Sequence, residues 1–131
     1  MIAPILSRVS AGVLVLCGVA LLFASDVLLP ALIPAFPPAA AWLGQLLGAA
    51  WLGLAAINWL QRRAVLGGIY GRPIVLANLT VFVVSALSLI RALPGKPPAL
   101  WAAAAVASLL AAGYAVLLFA GPFEGAPRPS A

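Results

Sequence analysis

The chain has 131 residues, 66% of them hydrophobic and 7% charged, with a mean hydropathy of +1.21, whereas an average soluble domain is about half apolar and roughly a quarter charged. A water-soluble fold of this size cannot hide so much apolar surface, so the expected solvent is a bilayer. The net charge of +5 does not point to nucleic acid, because the seven basic residues stand at the ends of apolar runs and do not gather on one face.

In lipid every backbone polar group must be bonded internally, which leaves helices or closed barrels. Barrel strands would show as stretches of about ten residues with alternating polarity. The apolar runs here are long and continuous. Four of them reach the roughly 20 residues that, at 1.5 Å of rise each, cross about 30 Å of hydrocarbon. The fold class read from the sequence is therefore all-α: a polytopic integral membrane protein with four transmembrane helices in an up-down bundle. One transmembrane domain is expected over residues 1–121, followed by a disordered tail over 122–131.

The first span is expected from Pro4 to Ala24. A basic start before an apolar run also describes a signal peptide, but Leu22 stands at the −3 position of a cut after Ala24. A lipoprotein site at Cys17 meets the same objection, because Leu16 occupies a position that needs a small residue. The segment reads as an uncleaved helix, and Cys17 as a packed apolar thiol. Length and helix count resemble the small multidrug transporters. Their essential glutamate in the first helix has no counterpart, since Val9 to Ser25 contains no charge, so proton-coupled transport is not implied.

The following link, "SDVLLPALIPAFPP" (Ser25 to Pro38), holds four prolines and is expected to continue neither helix. It reads as a surface-lying segment over the bundle mouth, with Asp26 as the N-cap of a short turn or a solvated carboxylate. The functional alternative for Asp26 is a proton or cation site. The second span, Pro38 to Leu60, carries Gly44-x-x-x-Gly48, a small-residue pair for helix packing inside the bundle or in a dimer. Trp42 and Trp59 lie 17 residues apart on it, roughly 25 Å, as expected of residues at two membrane interfaces.

Next comes "NWLQRRAVLGGIYGRP" (Asn58 to Pro73), the densest run of charge, glycine and aromatic rings in the chain. Trp59 and Tyr70 read as interface markers, Arg62 and Arg63 as cytoplasmic anchors, and Gly67 and Gly68 as the end of the second helix. Arg62, Arg63, Tyr70 and Arg72 are the candidate contacts for a lipid head group or partner, each basic residue near an anionic lipid surface contributing about 1 kcal/mol. The stretch "LGGIYGRPIVLANL" (Leu66 to Leu79) resembles uncharacterised small four-helix bacterial inner-membrane proteins with a GGIYGRP-type connection. That resemblance implies a multi-pass place in the bacterial inner membrane and no particular activity.

The third span, Pro73 to Leu93, bears a stripe of Asn78, Ser85 and Ser88 along one face. Such a stripe lines a ligand pathway or joins helices through hydrogen bonds. No further polar side chain is expected at mid-membrane depth. The fourth span, Pro98 to Ala120, presents Ala104, Ser108, Ala111 and Ala115 for close packing. If the N-terminus is cytoplasmic, Arg8, Arg62, Arg63, Arg72 and Arg128 lie inside and Arg91 and Lys96 outside, which favours both termini in the cytoplasm.

Histidine is absent, cysteine occurs once, and the acids are Asp26 and Glu124. Neither a carboxylate pair nor a Ser-His or Cys-His arrangement can be assembled, so no enzyme activity, metal or cofactor is expected. The function expected is a structural or accessory membrane component that packs as a homo-oligomer or with a larger complex. The alternative is a carrier or binder of a small hydrophobic or lipidic molecule.

Overall fold

The computed structural model describes residues 2–62, 71–92, 95 and 97–120. These form four helices: α1 (Ile2–Leu32), α2 (Ala41–Leu60, entered through a 3-10 turn at Pro38–Ala40), α3 (Arg72–Ala92) and α4 (Pro98–Ala120). All four are long and apolar enough to cross a membrane. Their outer faces carry bare hydrocarbon, with Phe119, Phe23 and Leu16 at 84%, 79% and 74% exposure. Water would not tolerate such a surface; lipid does.

α1 packs extensively on α2, and α3 on α4, while contacts between the two pairs are sparse. The first pair is zipped by glycine. A Cβ placed on Gly48 would lie 2.7 Å from the Gly18 carbonyl oxygen, and one on Gly18 would lie 2.9 Å from that of Gly48. The two backbones touch because neither residue has a side chain. The candidate packing residues Gly44 and Gly48 thus both lie in the α1–α2 seam, the first under Ser25 and Leu29 of α1. On α4, Ala104, Ala107 and Ala111 are buried. Leu14, Ala55, Val75, Phe82, Leu110, Tyr114 and Leu117 form the shared core.

The first link departs from expectation. α1 continues to Leu32 and is interrupted only at Ala24, whose backbone is non-helical (φ −134°, ψ 24°). This break redirects the chain, so that Ser25 and Leu29 settle over Gly44 of α2. Pro30 is tolerated in the short segment beyond it, where it deletes only the bond its N–H would have made to the Asp26 carbonyl. Asp26 is consequently an exposed residue inside the first turn of that segment and not its N-cap, a position where the helix dipole favours a carboxylate. The true connection is short: a turn closed by Phe36 N–H to the Ile33 carbonyl at 3.1 Å, with Ala35 at φ 66°.

The other bounds lie near expectation, α3 beginning at Arg72 one residue before Pro73. α2 ends at Leu60, ahead of Gly67 and Gly68, which lie outside the described residues. Its end is closed by an arginine instead of a glycine: Arg62 donates to the Trp59 carbonyl and holds its guanidinium 4.4 Å from the Trp59 ring centroid. The tail expected over 122–131 also lies outside the described residues.

Candidate functional site

Two features stand between the helix pairs, a polar clasp and an apolar cleft. The clasp takes one side chain from each helix: Ser10, Asn58, Asn78 and Tyr114, each no more than 1% exposed. Helix lengths bring them to one level. Ser10 and Asn78 lie early in α1 and α3, whereas Asn58 and Tyr114 lie late in α2 and α4.

The protons of the clasp can be assigned by counting donors. Ser10 has one, which it gives to the Ser7 carbonyl at 3.1 Å. Its 2.7 Å contact with Tyr114 is then a bond donated by the phenol. A second bond reaches Ser10 Oγ from Asn58 Nδ2 at 3.1 Å. Asn58 and Asn78 face each other as a reciprocal amide pair, with an N–H donated each way at 2.7 Å. The last Asn78 N–H goes to the Ile74 carbonyl at 2.9 Å. Every donor on the four side chains is used. Tyr114 is further fixed by stacking on Phe82, with centroids 5.9 Å apart. Beside them Ser7 is buried too, and its hydroxyl finds no partner among the described residues.

Four of these bonds cross between helices. At the roughly 0.6 kcal/mol typical of interhelical bonds in membranes they contribute about 2 kcal/mol, more because a stripped amide in hydrocarbon is costly than because each bond is strong.

Asn78 thus joins Ser10, Asn58 and Tyr114 toward one end of the bundle, Asn58 standing two residues before α2 ends at Leu60. Ser10, Asn58 and Tyr114 were hidden by their positions, Asn58 by its place in the charged run before the second connection. The usable signal was register. Where helices pack side by side, polar residues that come to the same level can meet, although they are far apart in sequence.

The stripe expected on α3 divides. Asn78 turns into the clasp, while Ser85, half-buried, and Ser88, exposed, line the second feature. This is a cleft of about 480 Å³ between the two helix pairs, walled by Cys17 of α1, Trp51 of α2, Ser85 and Ser88 of α3, and Ala103 and Ala107 of α4. Among the described residues none that lines it carries a charge. Cys17 is free and exposed on this wall, not packed in the core.

Of the candidate head-group contacts, Arg72 is exposed at the start of α3 and Arg62 is drawn back onto Trp59. Arg63 and Tyr70 lie outside the described residues. Gln45 is exposed on α2. Among the described residues no three His, Cys, Asp or Glu side chains gather where a metal could bind. No protein-family model, curated protein or solved structure matches this chain.

Proposed function

We propose that this is a bacterial inner-membrane protein that crosses the bilayer four times in an up-down bundle, with both termini in the cytoplasm, and holds a hydrophobic or lipidic molecule between its two helix pairs. The observation that carries this reading is the uncharged cleft. Its volume of about 480 Å³ is within the roughly 300–1,000 Å³ of small-molecule sites, and its walls are helix faces at membrane depth. A guest would arrive laterally from lipid, with no aqueous path required.

The reading as an accessory component assembling through small-residue faces is less well supported. Gly44 and Gly48 are occupied by α1, and Ala104 and Ala111 are buried within the chain. The orientation rests on the excess of basic residues on the side of Arg8, Arg62, Arg63, Arg72 and Arg128.

Purification in mild detergent followed by solvent extraction and mass spectrometry tests the binding reading. A discrete hydrophobic species in near-stoichiometric amount is expected. Ala103→Trp, which fills the cleft from an exposed wall position, should remove it. Recovery of only bulk lipid in the same proportions from both proteins would refute a binding role.

A further inference from the structure

The chain ties its two helix pairs together at one end. Each pair is bound along its own length: α1 meets α2 backbone to backbone at Gly18 and Gly48, with Ser25 and Leu29 lying over Gly44, and α3 packs extensively on α4. Between the pairs contacts are sparse, and the hydrogen bonds among them lie at one level. There Asn58 of α2 and Asn78 of α3 exchange two bonds, and Tyr114 of α4 donates to Ser10 of α1. One turn nearer the start of α1, Leu6 occupies the place of a side chain on Gly113, its Cδ1 2.9 Å from a Cβ built there. The covalent join lies at this end too: α2 ends at Leu60, two residues after Asn58, and α3 begins at Arg72, six residues before Asn78. The other two links, 33–37 and 93–97, each close a pair on itself.

We infer that the molecule is built as a pair of tongs: α1 with α2 and α3 with α4 are two stiff arms that rock about the clasp, widening and narrowing the cleft. The cleft is lined by the parts of the helices farthest along the chain from the join, with Leu47 early in α2, Ser88 and Leu89 late in α3, and Ala102 early in α4. Lipid tails solvate such walls as well as an opposing helix does, so closing the cleft brings no hydrophobic gain. Parting the arms at the clasp is different. It strips two buried amides of their partners in hydrocarbon, where water cannot replace them. Rotation about the clasp preserves the bonds between the arms, whereas sliding or separating the arms breaks them. The motion requires no guest in the cleft, and it stands or falls apart from the binding role proposed above.

Double electron–electron resonance between spin labels on the full chain in nanodiscs measures this motion. With Cys17→Ala as background, one label pair is placed at the clasp end, Ile57→Cys on α2 and Leu76→Cys on α3. Another is placed at the cleft end, Leu43→Cys and Ile90→Cys on the same helices; all four side chains are exposed. The two positions on each helix are 14 residues apart and so share a face, about 21 Å along the axis. A distance distribution roughly twice as wide at the cleft end as at the clasp end is expected, because displacement grows with distance from a hinge. A third pair within the first arm, Val15→Cys on α1 and Leu46→Cys on α2, should stay as narrow as the clasp-end pair. Asn58→Leu/Asn78→Leu should widen the clasp-end distribution and leave the within-arm pair narrow, which separates a loosened pivot from an unfolded protein. Tyr114→Phe, which removes a single bond between the arms, repeats that comparison in a more stable protein. Equal widths at the two ends, or a within-arm distribution as wide as the cleft-end one, would overturn the hinge. A clasp-end distribution unmoved by these substitutions would overturn the clasp as its pivot.

Discussion

The two ends of this bundle solve the same problem differently. Toward the starts of α1 and α3, the helix pairs are joined by Ser10, Asn58, Asn78 and Tyr114, whose hydrogen bonds leave no donor over. Toward the opposite end, the same pairs stand apart around the cleft, and Ser85 and Ser88 on its wall are unpaired among the described residues. Apolar surface does not decide between these arrangements, because lipid is as good a solvent for a leucine as another helix is. Association within the membrane follows close backbone contact and polar pairing. Where both are missing, the helices need not close.

This contrast can be broken from the closed side first. Gly48→Val should have the largest effect, because the new Cβ meets the Gly18 backbone oxygen at 2.7 Å and no rotamer relieves it. A loss of about 3 kcal/mol is expected in reversible unfolding in bicelles. Asn58→Leu should follow at about 2 kcal/mol, since it strips Asn78 of its reciprocal partner and Ser10 of a donor. The double variant Asn58→Leu/Asn78→Leu should lose less than the two single variants together, and strict additivity would mean that the amide pair does not couple the helices.

Smaller effects sharpen the comparison. Tyr114→Phe keeps the stack on Phe82 and removes only the bond to Ser10, so about 1 kcal/mol should be lost in the same unfolding measurement. Ser7→Ala should be neutral or stabilising by up to about 1 kcal/mol, because it removes a buried hydroxyl that has no partner among the described residues; a clear loss would reveal that Ser7 belongs to the clasp. Ala103→Phe, at the open end, should change stability by less than about 0.5 kcal/mol while diminishing the co-purified guest measured by mass spectrometry. A large destabilisation there would mean that the cleft is closed in the membrane.

Much of the helical architecture was legible in the sequence, since length and hydropathy alone place spans at Pro38–Leu60, near Arg72–Ala92 and at Pro98–Ala120. The end of the first helix departs from the sequence expectation, since α1 resumes after the break at Ala24 and runs to Leu32. Proline count suggested that the chain after Ala24 would leave the helix, yet Gly44 of another helix gives that segment a surface to lie on. Of the polar residues singled out on α3, Asn78 proved central to the clasp, whereas Ser85 and Ser88, on the same predicted stripe, face the cleft. A single-helix pattern records which residues share a face but not what that face meets.

Composition by itself made this an all-helical chain with four helices apolar enough to span a membrane, because in hydrocarbon the backbone has few other ways to satisfy its polar groups. It also placed a small-residue motif at Gly44 and Gly48. Only the tertiary structure decided that this motif joins α1 to α2, that four lone polar residues on four helices form one network, and that two serines remain on an open wall. Those outcomes depend on the relative register of helices whose residues are separated by up to 104 positions in sequence, as Ser10 and Tyr114 are. No local pattern encodes such register; it is settled by which backbones can touch and which donors can be paired.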